Sequence, residues 1–89
     1  MVKPYTDEYL NENEWIRKFN HLVDSDELVW HRDENDREVY VIDGEGWQFQ
    51  YENEMPKPLN KYDRFNIKKM TFHRLLKGKT KLKLRIMEI

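Results

Sequence analysis

The strongest constraint on this chain is a two-residue hydrophobic period on both sides of a short glycine-rich turn. Residues 38–43 and 47–52 alternate in polarity, and the sequence Asp-Gly-Glu-Gly at 43–46 lies between them. That period is typical of strands with one buried face, and glycine permits the positive φ angles of tight turns. The pattern predicts a β-hairpin in which three pairs of residues face each other: Ile42 with Trp47, Tyr40 with Phe49, and Glu38 with Tyr51.

The same period recurs along the rest of the chain, except in its first quarter. It predicts strands at 27–32, 38–43, 47–52, 63–67, 71–76 and 81–88. Before them, helical spacing of apolar side chains predicts one amphipathic helix over 7–23, with a stripe made of Trp15, Ile16, Phe19, Leu22 and Val23. The expected fold is therefore all-β: a helical segment at 1–24, followed by a barrel of about six strands at 25–89.

The composition excludes several kinds of chemistry. The chain has no cysteine, so disulfides, zinc fingers, iron–sulfur clusters and thiol nucleophiles are excluded, and any metal must be held by His, Asp or Glu. Its only serine lies outside any Gly-x-Ser-x-Gly sequence, and no glycine-rich run leads into a helix to hold phosphate. No apolar run approaches the roughly 18–20 residues of a membrane helix, so we expect a cytoplasmic protein.

Charge is divided unevenly along the chain. Residues 1–56 hold 15 acidic and five basic side chains, whereas residues 57–89 hold two acidic and 11 basic ones. The simpler interpretation is that the acidic part packs beside the basic strands. Alternatively Lys81, Lys83 and Arg85, which share one face of the last predicted strand, form a ridge for a polyanion. Outward lysines also protect exposed strands from pairing, so nucleic acid is the less favoured partner.

Four potential metal ligands occur in or beside the predicted strands. His31 and Asp33 are two residues apart and so project from one face, while Glu38 opens the next strand and His73 lies on a later one. A curled sheet would bring all four around one point. Nitrogen and oxygen ligands of this kind suit Fe, Mn, Ni, Zn or Cu.

Simpler interpretations of the same side chains remain open. The histidines could face a solvated barrel mouth, and the carboxylates could pair with arginines: Arg32, Arg37 or Arg74. A buried carboxylate without a metal or a cationic partner would be costly, so one of these arrangements must hold. The aromatic side chains of Tyr40, Trp47 and Phe49 are expected first in the core, and alternatively as the lining of a pocket for a planar or sugar-like ligand.

The spacing of the candidate ligands resembles the first motif of the cupin superfamily. That motif runs Gly, five residues, His-x-His, three or four residues, Glu, six residues, Gly. Here Ser25 takes the first glycine position, His31 keeps the first histidine, Asp33 replaces the second, and Glu38 follows after four residues. The closing glycine position falls on Glu45, between two glycines.

The second cupin motif is also similar to a stretch of this chain. It commonly reads Gly-Asp, three residues, Ile-Pro-x-Gly, two residues, His. Asp63, Ile67 and His73 keep their places, while the departures are Tyr62, Lys68 and Met70. The resemblance covers residues 25–88 and implies a jelly-roll barrel whose metal-ligand positions are His31, Asp33, Glu38 and His73.

The cupin resemblance implies a small protein that binds a divalent metal and acts on or senses a small polar molecule, such as a sugar, sugar acid or amino-acid derivative. An enzyme of this kind would be a metal-dependent isomerase or oxygenase, and a homodimer is a further expectation. The alternative is a non-catalytic interaction protein that binds a protein or polyanion through the acidic helix or the basic last strand. His31, Asp33 and His73 also follow the ligand order of 2-oxoglutarate-dependent oxygenases, with Lys83 or Arg85 for the cosubstrate, but this chain is far shorter than their usual domain.

Overall fold

A computed structural model describes residues 3–89 and shows eight β-strands. Their bounds are β1 Tyr5–Asn11, β2 Glu14–Phe19, β3 Arg37–Asp43, β4 Gln48–Tyr51, β5 Lys57–Pro58, β6 Arg64–Ile67, β7 His73–Leu76 and β8 Leu82–Glu88. One 3-10 turn, Ser25–Glu27, is the only helical element within residues 3–89. That part of the chain contains no helix of the length and apolar character needed to cross a membrane.

The strands form two antiparallel sheets that face each other. The larger sheet has the order β1-β2-β8-β3-β6, and the smaller has the order β5-β4-β7. Each strand presents alternate residues inward, so apolar side chains from both sheets meet in one core. The core consists of Trp15, Phe19, Val39, Val41, Trp47, Phe49, Leu59, Ile67, Leu82, Leu84 and Ile86.

The helix predicted over 7–23 is wrong, because β1 and β2 form a hairpin there. Trp15 and Phe19 are four residues apart, and that spacing places them on one face of a strand as well as of a helix. The carboxamide oxygen of Asn11 accepts the amide of Asn13 at 2.9 Å and closes the turn between the strands. Since β2 pairs with β8, Trp15 lies beside Ile86, and the N-terminal strands belong to the same sheet as the rest of the chain.

The predicted pairing of residues 38–43 with 47–52 is also wrong. β3 pairs with β6 and β8, and β4 pairs with β5 and β7, so residues 44–47 cross from one sheet to the other. Val39 and Val41 therefore point inward from one sheet and Trp47 and Phe49 from the other, whereas the hairpin would have placed them on opposite faces. Both faces of residues 38–43 carry apolar side chains, so the alternation alone specifies neither the buried face of this strand nor its neighbours.

The strand predicted over 27–32 is mostly absent, and this matters for the candidate site. The chain makes a 3-10 turn at Ser25–Glu27, and the carboxylate of Asp24 accepts the amide of Asp26 at 3.1 Å. Within 27–32 only His31 forms a bridge, and its partner is His73 on β7. The strands predicted at 63–67, 71–76 and 81–88 are confirmed with slightly shorter bounds.

Candidate metal centre

His31 and His73 face each other across a two-residue backbone bridge. The amide of His31 donates to the carbonyl of His73 at 3.0 Å, and the amide of His73 donates to the carbonyl of His31 at 2.9 Å. Such reciprocal bonding in an antiparallel pair puts both side chains on the same face. The ring centroids lie 4.3 Å apart, with His73 only 3% exposed and His31 at the surface.

Both histidines are oriented by the carbonyl of the residue two positions earlier. Nδ1 of His73 lies 2.8 Å from the Thr71 carbonyl oxygen, and Nδ1 of His31 lies 3.1 Å from that of Val29. A carbonyl oxygen can only accept, so Nδ1 carries the proton in each ring. In the neutral ring Nε2 then carries no proton, and its lone pair is free to bind a metal. A hydrogen bond donated by the other ring nitrogen is typical of metal-binding histidines.

Asp33 completes the cluster from the loop between His31 and β3. Its Oδ2 lies 3.3 Å from Nε2 of His73, and its Oδ1 lies 3.3 Å from Nη1 of Arg37. Oδ2 is buried and has no hydrogen-bond partner. The carbonyl of Asp33 accepts the amide of Met70 at 2.7 Å, which fixes the loop against the segment before β7. One ligand atom from each of His31, Asp33 and His73 lies within 4.8 Å of the others.

The electrostatics of the cluster favour the ligand forms of two of these groups. The ring of His31 is at the surface but partly desolvated by its neighbours, and this desolvation disfavours the charged ring and lowers its pKa below the usual value for histidine. Burial alone would raise the pKa of Asp33, but the hydrogen bond that His73 would donate with a proton on Nε2 and the charge of Arg37 outweigh it and lower that pKa. Near pH 7 Asp33 is therefore a carboxylate and His31 a neutral imidazole, and these are the forms that bind a metal.

Comparison with known proteins identifies the fold. Neither a protein-family model nor a curated protein sequence matches this chain. Solved structures do: the DMSP lyase DddQ from Ruegeria pomeroyi matches with a TM-score of 0.79 and 10% identity over 96% of this chain. A cupin domain from Bordetella pertussis matches with a TM-score of 0.65 and 15% identity over the whole chain. This chain has the cupin jelly-roll fold.

The structures with this cupin fold differ in length. This chain spans 97% of the Bordetella cupin domain but only 46% of DddQ. It also matches hydroxypropylphosphonic acid epoxidase (HppE) from S. wedmorenis, with a TM-score of 0.66 and 15% identity, over 85% of this chain and 42% of that protein. The shared feature is the fold, and the shortest of these proteins is close to this chain in size.

The structure places the fourth predicted ligand, Glu38, outside the cluster. Its carboxylate binds Nη2 of Arg64 at 2.7 Å, on the outer face of the larger sheet. Val39, its neighbour on β3, is the residue that points into the core, because successive residues of a strand face opposite sides. The cluster that the cupin fold brings together here consists of His31, Asp33 and His73.

The three predicted pocket residues occupy three different environments. Tyr40 lies on the outer face of the larger sheet, beside Arg85 and Arg64. Trp47 is a core side chain, 1% exposed, whose Nε1 donates to the Thr80 carbonyl at 2.6 Å. Phe49 contacts the ring of His73 at a centroid distance of 5.6 Å and lines a cavity of about 270 Å³ between the edges of the two sheets.

The predicted basic ridge is interrupted by acidic side chains. β8 lies in the middle of the larger sheet, so its outward residues have neighbours on both sides. Arg85 forms an ion pair with Glu14, and Lys83 lies opposite Asp43 on β3. This face therefore carries both signs of charge along the length of β8.

Two residues that contact the cluster, Arg37 and Tyr51, are indicated only weakly by the sequence, Arg37 as one of three arginines that could pair with the carboxylates. Arg37 and Tyr51 both contact the cluster, Arg37 through Asp33 and Tyr51 through a ring contact with His73 at 6.4 Å. Pairing of an aspartate with an arginine four residues later is common on protein surfaces and gives no sign of a metal. The alternation of residues 47–52 places Tyr51 on the same face as Phe49 and is the one available indication.

Proposed function

We propose that this chain is a metal-binding cupin that holds a divalent metal through His31, Asp33 and His73 and acts on or senses a small polar molecule. The observation that carries this proposal is the buried Oδ2 of Asp33. It has no hydrogen-bond partner and lies 3.3 Å from Nε2 of His73, a nitrogen whose lone pair is left free by the bond at Nδ1. Two facing lone pairs in a buried site require a cation or a proton between them.

The separation of these two atoms suits a shared metal ion. Nitrogen and oxygen ligands bind Zn²⁺ at about 2.0–2.2 Å, so two ligands of one ion lie about 3.0 Å apart at right angles and about 3.4 Å apart at the tetrahedral angle. Asp33 and His73 already have that separation. Protonation of His73 to form an ion pair with Asp33 is the competing explanation, and it predicts no metal in the purified protein.

Two histidines and one carboxylate on one side of an ion form the set typical of non-haem Fe(II) proteins, which makes Fe(II) the leading candidate metal. HppE structures that match this chain contain Fe(II) and Co(II), which supports the choice for a protein of the same fold. A metal bound here would supply a Lewis acid or an oxygen-activating centre. Three protein ligands would leave further coordination positions for water or a small molecule.

The chain's own residues shape the surroundings of this cluster. Phe49 and Tyr51 meet edge to face at 4.9 Å and cover one side of His73. The hydroxyl of Tyr51 donates to the Asn66 carbonyl at 2.7 Å, which holds the ring against β6. Phe49 and Tyr51 also line a cavity of about 270 Å³ with a mainly apolar lining and a charged rim that includes Lys57, Asp63 and Arg64, although none of the three candidate ligands lines it. Its size and rim suit a small molecule with polar groups.

The test is metal binding by protein purified without a metal-affinity tag. Elemental analysis should find bound divalent metal, and calorimetric titration under anaerobic conditions should rank Fe(II), Mn(II), Co(II), Ni(II), Zn(II) and Cu(II). Saturation at 100 times Kd should stabilise the fold by about 2.7 kcal/mol and raise the melting temperature by roughly 10 °C or more. His73→Ala and Asp33→Ala should abolish this shift, whereas no bound metal and no shift with any of the six ions would refute the proposal.

Glu38→Ala is the matched control for the ligand set. Glu38 is a carboxylate at the ligand position implied by the cupin resemblance, but it lies on the outer face with Arg64. We expect Glu38→Ala to bind metal with the affinity of the wild type. A loss as large as that of Asp33→Ala would contradict the three-residue set.

A further inference from the structure

The two oxygens of Asp33 have different partners. Oδ2 faces His73, whereas Oδ1 faces the guanidinium of Arg37 at 3.3 Å. Both side chains are largely buried, at 12% and 16% exposure, so water competes little for either oxygen. Oδ2 is therefore the oxygen that faces the histidine, while Oδ1 faces a positive charge.

Arg37 is itself fixed from several directions. It lies on β3 with its guanidinium above the ring of Trp15 on β2, 5.2 Å from the ring centroid. Its Nη2 lies 3.7 Å from Oε2 of Glu88 at the end of β8. The other oxygen of Glu88 accepts the Asn35 side-chain amide at 2.8 Å. Three adjacent strands of the larger sheet therefore set the position of the guanidinium that contacts Asp33.

The charges in this chain of contacts alternate. Asp33 is negative, Arg37 positive and Glu88 negative, so Glu88 offsets the positive charge that Arg37 would otherwise place beside a cation site. Arg37 can therefore orient the carboxylate of Asp33, while Glu88 reduces the repulsion between the guanidinium and a bound metal cation.

We propose that Arg37 is a positioning residue that holds Oδ1 of Asp33, so that Asp33 binds the metal through Oδ2 alone. The inference rests on the metal-binding function proposed above. This determines how many coordination positions of the metal stay open. A carboxylate that binds through one oxygen occupies one position, whereas a carboxylate that binds through both oxygens occupies two. Arg37 thereby sets how much of the ion is available to a small molecule.

The experiment compares metal affinity and the visible absorption spectrum of the Co(II) protein in the wild type and in variants. Arg37→Met keeps much of the alkyl chain and removes the guanidinium, so Kd should rise roughly 10-fold to 100-fold, as for other residues that orient metal ligands. The Co(II) bands should change in position or intensity, because Asp33 is free to bind through both oxygens. A merely structural role would lower stability without changing this spectrum. Unchanged Kd and an unchanged spectrum would overturn the inference.

Further variants separate position from charge and from folding. Arg37→Lys keeps the charge but not the planar fork of donors, so its Kd should lie between those of the wild type and Arg37→Met. A wild-type Kd and spectrum in Arg37→Lys would show that charge alone suffices and would overturn the inference. If Arg37→Met does not fold, Glu88→Gln takes its place, because it removes the ion pair that holds the guanidinium of Arg37. We expect Kd to rise several-fold and the Co(II) bands to change. No change in either would overturn the inference.

Two reference variants distinguish failure of this inference from failure of the proposed function. Arg85→Met removes an arginine that forms an ion pair with Glu14 on the outer face of the larger sheet, and it should leave Kd and the Co(II) spectrum unchanged. Asp33→Ala should abolish binding. If wild type and Asp33→Ala bind equally or not at all, the proposed function fails. If Asp33→Ala loses binding but Arg37→Met retains wild-type behaviour, only the role of Arg37 fails.

Discussion

At the scale of single residues, two departures from the cupin motif keep the backbone conformation that glycine would adopt. Tyr62 and Met70 stand at the glycine positions of the second motif, and both have positive φ angles, 77° and 59°. The amide of Met70 donates to Asp33 and that of Tyr62 to the Val41 carbonyl at 2.9 Å. These bonds hold two bulky residues in a region that costs side-chain-bearing residues about 1 kcal/mol or more.

Replacing either residue by glycine should therefore stabilise the protein. Tyr62→Gly and Met70→Gly relieve the left-handed strain but add freedom to the unfolded chain, so we expect a net gain of about 0.5–1 kcal/mol each. The measurement is the midpoint of urea unfolding at constant m. Asn53, at φ 63°, is the control, because asparagine tolerates this region and Asn53→Gly should gain less. Destabilisation by both substitutions would show that the exposed side chains matter more than the strain.

The lowered pKa of His31 predicts how metal affinity depends on pH. Metal binds the neutral ring, and a depressed pKa means that the ring stays neutral to a lower pH than usual. We expect a nearly constant Kd from pH 8 to pH 7 and a rise only below about pH 6.5, where ordinary histidines protonate. Calorimetric titration across this range checks it. A Kd that already rises steeply between pH 8 and pH 7 would contradict the neutral ring.

At the scale of elements, the sequence identifies some of the core residues but not the strands that become neighbours. Trp15 and Phe19 are core residues in both the predicted helix and the observed β2, because a spacing of four fits both periods. β3 and β4 are strands as predicted, but they lie in different sheets. Residues 44–47 cross from one sheet to the other and pass close to Gly78. A Cβ at Gly78 would collide with Cδ1 of Trp47 and with the carbonyl oxygen of Glu45.

Gly78→Ala should consequently destabilise the protein by about 1–3 kcal/mol, the usual cost of overpacking. The Glu45 carbonyl cannot move aside easily, since it accepts the amide of Lys79 at 2.8 Å. The matched control is Lys79→Ala, an exposed neighbour whose effect should stay within about 0.5 kcal/mol. Equal stability of the two variants in urea unfolding would show that the two connections do not approach as closely as the structure has them.

At the scale of the whole molecule, the N-terminal strands share a sheet and a core with the rest of the chain. β2 pairs along its full length with β8, and its two aromatic side chains, Trp15 and Phe19, belong to the common core. The cluster of His31, Asp33 and His73 is linked to the same sheet, since Arg37, which pairs with Asp33, contacts both Trp15 and Glu88. Removal of the first strands would expose one side of β8 along with part of the core.

A chain shortened to residues 25–89 should therefore fail to fold cooperatively. It loses two core aromatic side chains, each worth about 3–5 kcal/mol, against the total stability of 5–15 kcal/mol typical of small domains. Circular dichroism and thermal unfolding check this, with full-length protein as the reference. A sharp unfolding transition in the shortened chain would restore the two-segment organisation that the helix prediction implied.

The sequence by itself determined most of the strand content after residue 37 and the restriction to His, Asp and Glu as ligands, because these follow from local period and composition. It also singled out His31, Asp33 and His73 as candidate ligands, although the strand expected to carry His31 is mostly absent. Only the tertiary structure decided that Glu38 faces outward, that β3 and β4 separate into two sheets, and that Arg37 contacts Asp33. Those outcomes depend on which distant strands pair, and pairing is set by burial of the whole core, which no local pattern encodes.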